Sequence, residues 1–163
     1  MTTIEQVLKA IKENNVQALK QLIDAGADVN AKSKDNFTYG HTPLHYAARF
    51  NSKGVAQILI REGADVNAKN KWGYTPLHGA ACNDNEELSE ILIQHGAHVD
   101  AKDKKGRTPL HWAAEKNSKQ VAEFFIKNRA DVNAKDDDGR TPLNYATDNG
   151  SKEVAEFLIK KDR

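Results

Sequence analysis

The sequence predicts an all-α repeat solenoid, in which short helix pairs stack side by side along one axis. The first observation is a strict period, because Thr-Pro-Leu-His or Thr-Pro-Leu-Asn recurs every 33 residues, beginning at Thr42, Thr75, Thr108 and Thr141. The second observation is an apolar triplet later in each unit, at residues 58–60, 91–93, 124–126 and 157–159. The third is a glycine shortly after the triplet, at Gly63 and Gly96, where a helix is expected to stop.

The repeated motif has the features of a helix N-terminus. Thr108 is a good N-cap, because its hydroxyl can accept a hydrogen bond from an N–H of the first turn. Pro109 suits the first helical position, where no N–H is needed and its φ is already helical. His111, at the third helical position, can reach back to the cap as in a capping box. Ala113 and Ala114 are small, so we expect each motif to start a helix that packs closely against its neighbour.

Each unit is expected to turn tightly between its two helices. The residues at the turn are types that tolerate a left-handed backbone, namely Asn51, Asp84, Asn117 and Gly150. After the second helix, the third unit departs from the pattern, because Arg129 stands where Gly63 and Gly96 stand in the other units. Either Arg129 is held in a strained left-handed conformation, or Asn128 takes the turn instead.

The N-terminal segment lacks the repeated motif but still reads as a helix pair between Thr3 and Ala25. Residues 3–6 form a capping-box pattern, Val7, Leu8 and Ile11 share an apolar face, and Gly26 ends the second helix. Because a stack needs a wettable unit at its end, we interpret this segment as an N-terminal capping repeat.

Thr-Pro-Leu-His followed by Ala-Ala, and then Gly-Ala-Asp-Val-Asn at residues 63–67, resembles the ankyrin repeat. The resemblance covers nearly the whole chain. It implies that residues 65–74, 98–107 and 131–140 form short β-hairpin fingers at right angles to the helices. It also implies a class of function, which is to hold another macromolecule.

On this basis residues 1–163 are expected to form a single ankyrin repeat domain. The capping repeat covers residues 1–33, and the successive repeats cover residues 34–69, 70–102, 103–135 and 136–163. The first finger is longer than the others, since 14 residues separate Asp28 from Thr42 and only 10 separate Asp65 from Thr75. The extra residues lie around 35–40, and insertions in repeat arrays often fall on the binding face.

The composition predicts a polar intracellular chain with almost no net charge. The mean hydropathy is −0.72, and 24 basic residues against 23 acidic ones give a net charge of +1, so neither nucleic acid nor membranes are expected partners. One cysteine excludes an internal disulfide, and no signal peptide or membrane span is visible. We therefore expect a monomer in the cytoplasm, with the nucleus as the alternative.

Several residues could suggest an enzyme or a metal site, but their spacing and neighbours do not support either prediction. The motif histidines belong to different stacked helices, about 8–10 Å apart, which is too far for ligands that must converge on zinc at about 2.0–2.1 Å. The run Asp136–Gly139 fails the alternating pattern of a calcium loop, so an acidic turn is the better interpretation. Cys82 has no histidine partner in its unit and Asp84 lies close by, so a filler thiol is expected. We expect no catalytic residues, no metal and no cofactor.

The candidate binding site is a set of aromatic residues with basic neighbours in the first two full repeats. Exposed aromatic side chains rimmed by arginine are typical of interface hot spots. The predicted partner-binding residues are Phe37, Tyr39, Arg49, Phe50, Trp72, Tyr74, Lys105 and Arg107. The alternative for Phe37 and Tyr39 is that they only pack the longer finger against Trp72. Tyr46, Trp112 and Tyr145 share one repeat position, with Gly79 between the first two, and are interpreted as packing between repeats.

The leading functional prediction is a non-enzymatic protein-binding scaffold that grips its partner with a concave face and fingers. One alternative is a targeting or structural segment of a larger multidomain protein, which the end at Arg163 without a following glycine favours. Another is a substrate for asparaginyl hydroxylation at Asn30, Asn67 or Asn133, as the resemblance implies. A designed array is also an alternative, although Arg129 and the long first finger favour a natural one.

Overall fold

The computed structural model describes residues 4–34 and 40–162 and contains ten helices in these ranges. In chain order, α1 to α10 are Ile4–Lys12, Val16–Asp24, Pro43–Phe50, Lys53–Arg61, Pro76–Cys82, Glu86–Gln94, Pro109–Glu115, Lys119–Lys127, Pro142–Asp148 and Lys152–Lys161. They follow one another as five helix-turn-helix pairs, as the sequence predicts. Over the described ranges, every helix is too short or too polar to cross a bilayer.

The helices form two rows. The first helices of the pairs, α1, α3, α5, α7 and α9, pack in sequence against one another, and so do the second helices α2, α4, α6, α8 and α10. Each first helix also packs against the second helix of its own pair. Because each pair contacts only its neighbours in the stack, the predicted all-α repeat solenoid is confirmed.

The core lies between the two rows and repeats with the motif. The leucine of each Thr-Pro-Leu motif in the first three full repeats is fully buried, as are the paired alanines that follow it. Their partners across the rows are the large side chains of the second helices, namely Leu59, Leu92, Phe125 and Leu158. The small alanines let adjacent first helices approach closely, as the motif predicts.

The turns between paired helices adopt the predicted left-handed conformation and also connect neighbouring repeats. Asn51, Asp84 and Asn117 have φ values of 53°, 54° and 56°. The Asp84 carboxylate accepts a hydrogen bond from the N–H of Val121 at 3.2 Å, and Asn117 accepts one from Val154 at 3.4 Å. The short polar side chain therefore supplies an acceptor to the next repeat, in addition to tolerating the turn.

Arg129 itself occupies the left-handed turn after α8, with φ at 68°. The alternative, a turn at Asn128, is wrong, because Asn128 has φ at −92° and uses its side-chain amide to donate to the carbonyl of Phe124 at 2.9 Å. Gly96 occupies the equivalent place after α6 with φ at 91°. Arg129 thus carries backbone strain that glycine avoids.

The fingers differ from the expected β-hairpins, because the described residues contain no regular strand. In the second finger the carbonyl of Tyr74 accepts from the N–H of Asn70 at 3.0 Å, and the Asn70 side-chain oxygen accepts from the N–H groups of Trp72 and Tyr74 at 2.9 and 3.0 Å. This side chain takes the donors that a strand ladder would use, so the second finger is a tight turn. Consecutive fingers are joined directly, since the Trp72 carbonyl accepts from Lys104 at 2.9 Å.

Candidate functional site

The predicted binding residues do not form one continuous exposed patch. Phe37 and Tyr39 lie outside the described residues. Arg49 and Phe50 end helix α3 and are exposed, whereas Trp72 and Tyr74 on the second finger are half-buried. On the third finger Lys105 is exposed. The side chain of Arg107 is only 11% exposed.

The structure brings Arg49 and Tyr74 together at a pocket of about 240 Å³ between the first helices and the fingers. We call it the Gly79 pocket. It is lined by Arg49, Tyr74, Thr75, Gly79, Cys82, Asn83 and Trp112 and by the rings of His41, His45 and His78. Its walls come from the first two full repeats, with Trp112 added by the third.

Gly79 creates the pocket by leaving a repeat position empty. Tyr46, Trp112 and Tyr145 occupy the equivalent positions of the other full repeats, and each packs against the core. A Cβ atom added at Gly79 would meet the Cβ of Ala48 at 3.5 Å, which is ordinary contact distance. The sequence prediction that the three aromatics pack between repeats agrees with the structure. It missed that the glycine interrupting their series leaves a cavity.

Arg107 was expected to rim a binding surface, but it is a packing residue. Its Nε donates to the Asp103 carboxylate at 2.9 Å, and its Nη2 donates to the Tyr74 hydroxyl at 2.9 Å. The guanidinium carbon lies 4.3 Å from the centroid of the Trp112 ring. The hydrogen bonds occupy the edges of the planar guanidinium and the stack covers one of its faces. These contacts favour a mostly covered Arg107 side chain over an exposed one. The neighbouring finger supplies Tyr74, which local sequence patterns do not reveal.

Trp72 and Tyr74 are also less free than finger tips would be. The Trp72 ring lies 6.2 Å from Tyr74 and 6.4 Å from His41, centroid to centroid. Tyr74 meets the Trp112 ring edge-on at 5.0 Å. Burial raises the pKa of the Tyr74 phenol, so the hydroxyl stays protonated around neutral pH. The two rings thus form a rigid aromatic wall with one side exposed.

Phe50 and Lys105 lie away from the Gly79 pocket. The ammonium of Lys12 lies 5.6 Å from the centroid of the Phe50 ring, which places Phe50 towards the N-terminal unit. The backbone carbonyl of Lys105 accepts from the N–H of Asp137 at 3.0 Å, while its side chain is exposed on the third finger. Neither residue lines the pocket.

The motif histidines cap their own helices, as predicted, and also hold the following finger. Nδ1 of His78 accepts from the N–H of Thr75 at 3.1 Å, which leaves Nε2–H to donate to the carbonyl of Arg107 at 3.2 Å. His45 repeats this arrangement with Thr42 and with the carbonyl of Tyr74, at 3.1 and 2.8 Å. Burial lowers the pKa of both His45 and His78 to about 4, because the charged form cannot be solvated.

In the part of the chain that the structure describes, the thiol and the acidic groups form no metal-binding cluster. Burial raises the pKa of the Cys82 thiol to about 11, so the thiolate that would act as a nucleophile is scarce near neutral pH. Residues 4–34 and 40–162 hold no group of three or more His, Cys, Asp or Glu side chains placed to bind a metal ion. In the fourth finger, Asp136 accepts from the Tyr145 hydroxyl at 2.8 Å and serves the turn.

The asparagines of the Asp-Val-Asn segments bridge successive repeats. Asn67 donates from Nδ2 to the carbonyl of Gly96 at 2.9 Å, and its side-chain oxygen accepts from the N–H of His98 at 2.9 Å. Asn30 bonds in the same way to Gly63 and Asp65, at 3.0 and 2.8 Å. These amides therefore have a structural role in the stack.

Comparison with known proteins matches this architecture to one family model. The model describes ankyrin repeats in three copies, and it matches residues 7–103, 57–136 and 99–163. An ankyrin repeat protein of fowlpox virus is 44% identical over 62 residues, covering 37% of this chain and 11% of the viral protein. An ankyrin repeat protein of Rickettsia bellii is 38% identical over 78 residues, covering 44% of each chain.

The relatives are not all of one kind. The human 2-5A-dependent ribonuclease is 33% identical over 67 residues, which is 41% of this chain but 9% of the ribonuclease. The matched region of this chain thus spans about a tenth of the human and viral relatives and less than half of the rickettsial one.

Proposed function

Because the chain belongs to the ankyrin repeat family, we propose that it is a non-enzymatic scaffold that binds another protein across its first helices and fingers. Ankyrin repeats are generally protein–protein interaction modules. The proposed face centres on the first two full repeats, where Arg49 and Tyr74 line the Gly79 pocket and the Trp72 ring lies beside Tyr74. Phe50 and Lys105, with Phe37 and Tyr39 of the longer finger, are proposed to extend it.

The observation that carries this proposal is the Gly79 pocket itself. A mostly apolar depression beside an exposed arginine is the kind of site where a partner can bury an anchor residue. The surrounding aromatic side chains are already ordered by their mutual contacts, so binding costs little further side-chain entropy. The high pKa of Cys82 supports a binding role for the pocket over a nucleophilic one.

A matched pair of arginines tests the location of the face. Arg49 and Arg61 belong to the same repeat, and each is exposed in the last turn of its helix, but Arg61 lies on α4, in the row of second helices. With a partner captured from the cells that produce the protein, Arg49→Ala is expected to weaken binding by about tenfold and Arg61→Ala by less than twofold. A loss confined to Arg61→Ala would place the partner on the row of second helices. That result, or equal losses for the two variants, would contradict the proposal.

Trp72→Ala provides the second arm of that test. Truncation of the aromatic side chain that packs against Tyr74, a wall of the Gly79 pocket, is expected to cost about 2 kcal/mol of binding free energy or more. Asp137→Ala, on the acidic fourth finger, is expected to change only the salt dependence of binding. Because Trp72 also packs against Tyr74, melting temperatures of both variants must be compared first. A reversed order of the two effects at unchanged melting temperature would move the site to the fourth finger.

A second proposal concerns context, because the relatives are much longer than the region they share with this chain. We propose that the array serves as the binding module of a larger assembly of domains or subunits, which it positions by holding its partner.

We do not extend the proposal to hydroxylation of Asn67 or Asn30, since both ends of each side-chain amide are hydrogen-bonded in the stack. Size-exclusion chromatography of the isolated chain would test the monomer that we propose for this module.

A further inference from the structure

We propose that the Gly79 pocket receives one aromatic side chain of the partner protein, with a neighbouring carboxylate of that partner paired to Arg49. This inference rests on the proposed function and specifies the chemistry of the partner. It predicts an aromatic residue next to an acidic one as the element that this chain recognises.

The aromatic part follows from the vacancy in the repeat. The chain places Tyr46, Trp112 and Tyr145 at this position in its other three full repeats, where each ring packs against the core. Gly79 leaves the same kind of space unfilled, although glycine is a poor residue for the interior of helix α5. A ring supplied by the partner would complete the series that the chain itself leaves incomplete.

The size of the pocket supports a single side chain as the occupant. Its volume is about 240 Å³, whereas pockets for drug-sized ligands usually hold roughly 300–1,000 Å³. It is also partly open to solvent, so a protein can approach it. One ring that projects from a partner fits these dimensions better than a cofactor does.

The walls are ordered before any partner binds. Trp112 and Tyr74 meet edge-on at 5.0 Å, and Arg107 holds both, through its hydrogen bond to the Tyr74 hydroxyl and its stack on Trp112. Asn83 donates to the carbonyl of Gly79 at 2.9 Å and of Arg49 at 3.4 Å, which fixes the rim between α3 and α5. A preformed aromatic wall favours a ring in an edge-to-face arrangement.

The acidic part follows from the charges that face the pocket. Arg49 is exposed at the rim, and among the described residues no carboxylate oxygen lies within 4.0 Å of its guanidinium. The other nearby guanidinium, Arg107, already covers a face of Trp112 and is paired with Asp103. A cationic guest would therefore meet two arginines and an occupied ring face, while a carboxylate beside the ring would gain a partner in Arg49.

Amide-resolved NMR titration with indole-3-acetate tests the inference without knowledge of the partner. This aromatic carboxylate is expected to bind with a Kd on the order of 1 mM, as its size allows, and to shift the amides of Gly79, Cys82 and Asn83. Tryptamine, the matched aromatic cation, is expected to bind at least fivefold more weakly. Arg49→Ala should remove most of that difference, and Arg61→Ala should preserve it.

Gly79→Tyr places the chain's own aromatic residue in the pocket and should abolish the indole-3-acetate shifts. Gly79→Ala leaves more of the pocket open and should weaken indole-3-acetate binding by at least threefold. It replaces Gly79→Tyr as the test variant if the larger substitution perturbs folding. Absence of saturable shifts in the unsubstituted chain, or equal binding by Gly79→Tyr, would overturn the inference. Equal or tighter binding of tryptamine would overturn its acidic part.

The failure of this inference is distinguishable from the failure of the proposed function. If a captured partner still depends on Arg49 and Trp72 but binds Gly79→Tyr as well as the unsubstituted chain, the face is correct and the anchor is wrong. If partner binding is insensitive to Arg49→Ala, Trp72→Ala and Gly79→Tyr alike, the proposed face itself is wrong.

Discussion

The guanidinium of Arg107 lies over the ring of Trp112, with 4.3 Å between its central carbon and the ring centroid. The same group bonds to the Asp103 carboxylate and the Tyr74 hydroxyl, each at 2.9 Å. It therefore joins the third finger to helix α7 and to the preceding finger. Because these contacts use both the face and the edges of the guanidinium, a lysine ammonium cannot reproduce them together.

Arg107→Lys is accordingly expected to lower the free energy of unfolding by about 1–3 kcal/mol, through the loss of a stacked group and two hydrogen bonds. Urea denaturation would measure the loss. Arg140 is the matched control in the next finger, where it stacks on Tyr145 at 4.4 Å but its side chain is 39% exposed. Arg140→Lys should cost less, and an equal cost for the two would contradict the special role of the Arg107 network.

The histidine caps predict a loss of stability in weak acid. Burial lowers the pKa of His78 from 6.5 to about 4, so the folded chain holds it neutral while the unfolded chain takes up a proton below about pH 6.5. Its contribution to stability is thus complete above pH 6.5 and is lost as the pH falls towards 4. Between pH 7 and pH 5 the loss amounts to about 2 kcal/mol for this residue.

His78→Asn tests that sign, because Asn144 performs the same capping role in the last repeat, where it accepts from the N–H of Thr141 at 2.9 Å. At pH 7 the variant is expected to be less stable by about 1 kcal/mol, since it lacks the bond to the Arg107 carbonyl. Its stability should fall less steeply than that of the unsubstituted chain between pH 7 and pH 5. Parallel stability curves from urea titrations at both pH values would contradict the assigned protonation state.

The left-handed conformation of Arg129 predicts a stabilising substitution. Arg129→Gly is expected to raise the free energy of unfolding by up to about 1 kcal/mol, because relief of backbone strain exceeds the added entropy of the unfolded chain. Gly96→Arg is the reciprocal control, since a Cβ there would meet nothing within 4 Å and only the backbone is strained. Thermal unfolding should show opposite shifts, and destabilisation by both would mean that Arg129 makes a compensating contact.

The empty position at Gly79 predicts that stability and binding can be separated. Gly79→Ala is expected to stabilise the fold by about 0.5–1 kcal/mol, since alanine is the better helix former and its Cβ would rest at 3.5 Å from that of Ala48. Gly54 is a helical glycine with the opposite expectation, because a Cβ there would meet Cγ2 of Val16 at 2.9 Å. Chemical denaturation of both variants would measure the difference. A loss of stability in Gly79→Ala would indicate that the pocket is not free space.

The fold was predictable because its determinants are local and repeated. Thr75, Pro76 and His78 form a cap among neighbours in sequence, so their spacing alone identifies the helix start. The left-handed turns were likewise marked by residue type, although the choice between Asn128 and Arg129 was not. The expected β-hairpins were not confirmed, because the Asn70 side chain takes the backbone donors of its own finger.

The site was only partly predictable. Arg49 and Tyr74, which line the Gly79 pocket, could be proposed from their positions at the end of a helix and beside Gly73. Exposure could not be predicted, since Arg107 looks like a free basic residue in the sequence and only 11% of its side chain is exposed in the structure. The signal for the Gly79 pocket was present as the one non-aromatic residue at its repeat position, but a vacancy has meaning only when the neighbouring walls are known.

The sequence by itself thus determined the period, the helix pairs and their caps, because each depends on residues within a few positions of one another. The tertiary structure alone decided which polar side chains are exposed and where a cavity remains. The bonds that settle these points join adjacent repeats, as between His78 and the carbonyl of Arg107 or between Arg107 and Tyr74. These bonds form only if adjacent repeats pack at the right distance from each other. The packing of both rows of helices together sets that distance.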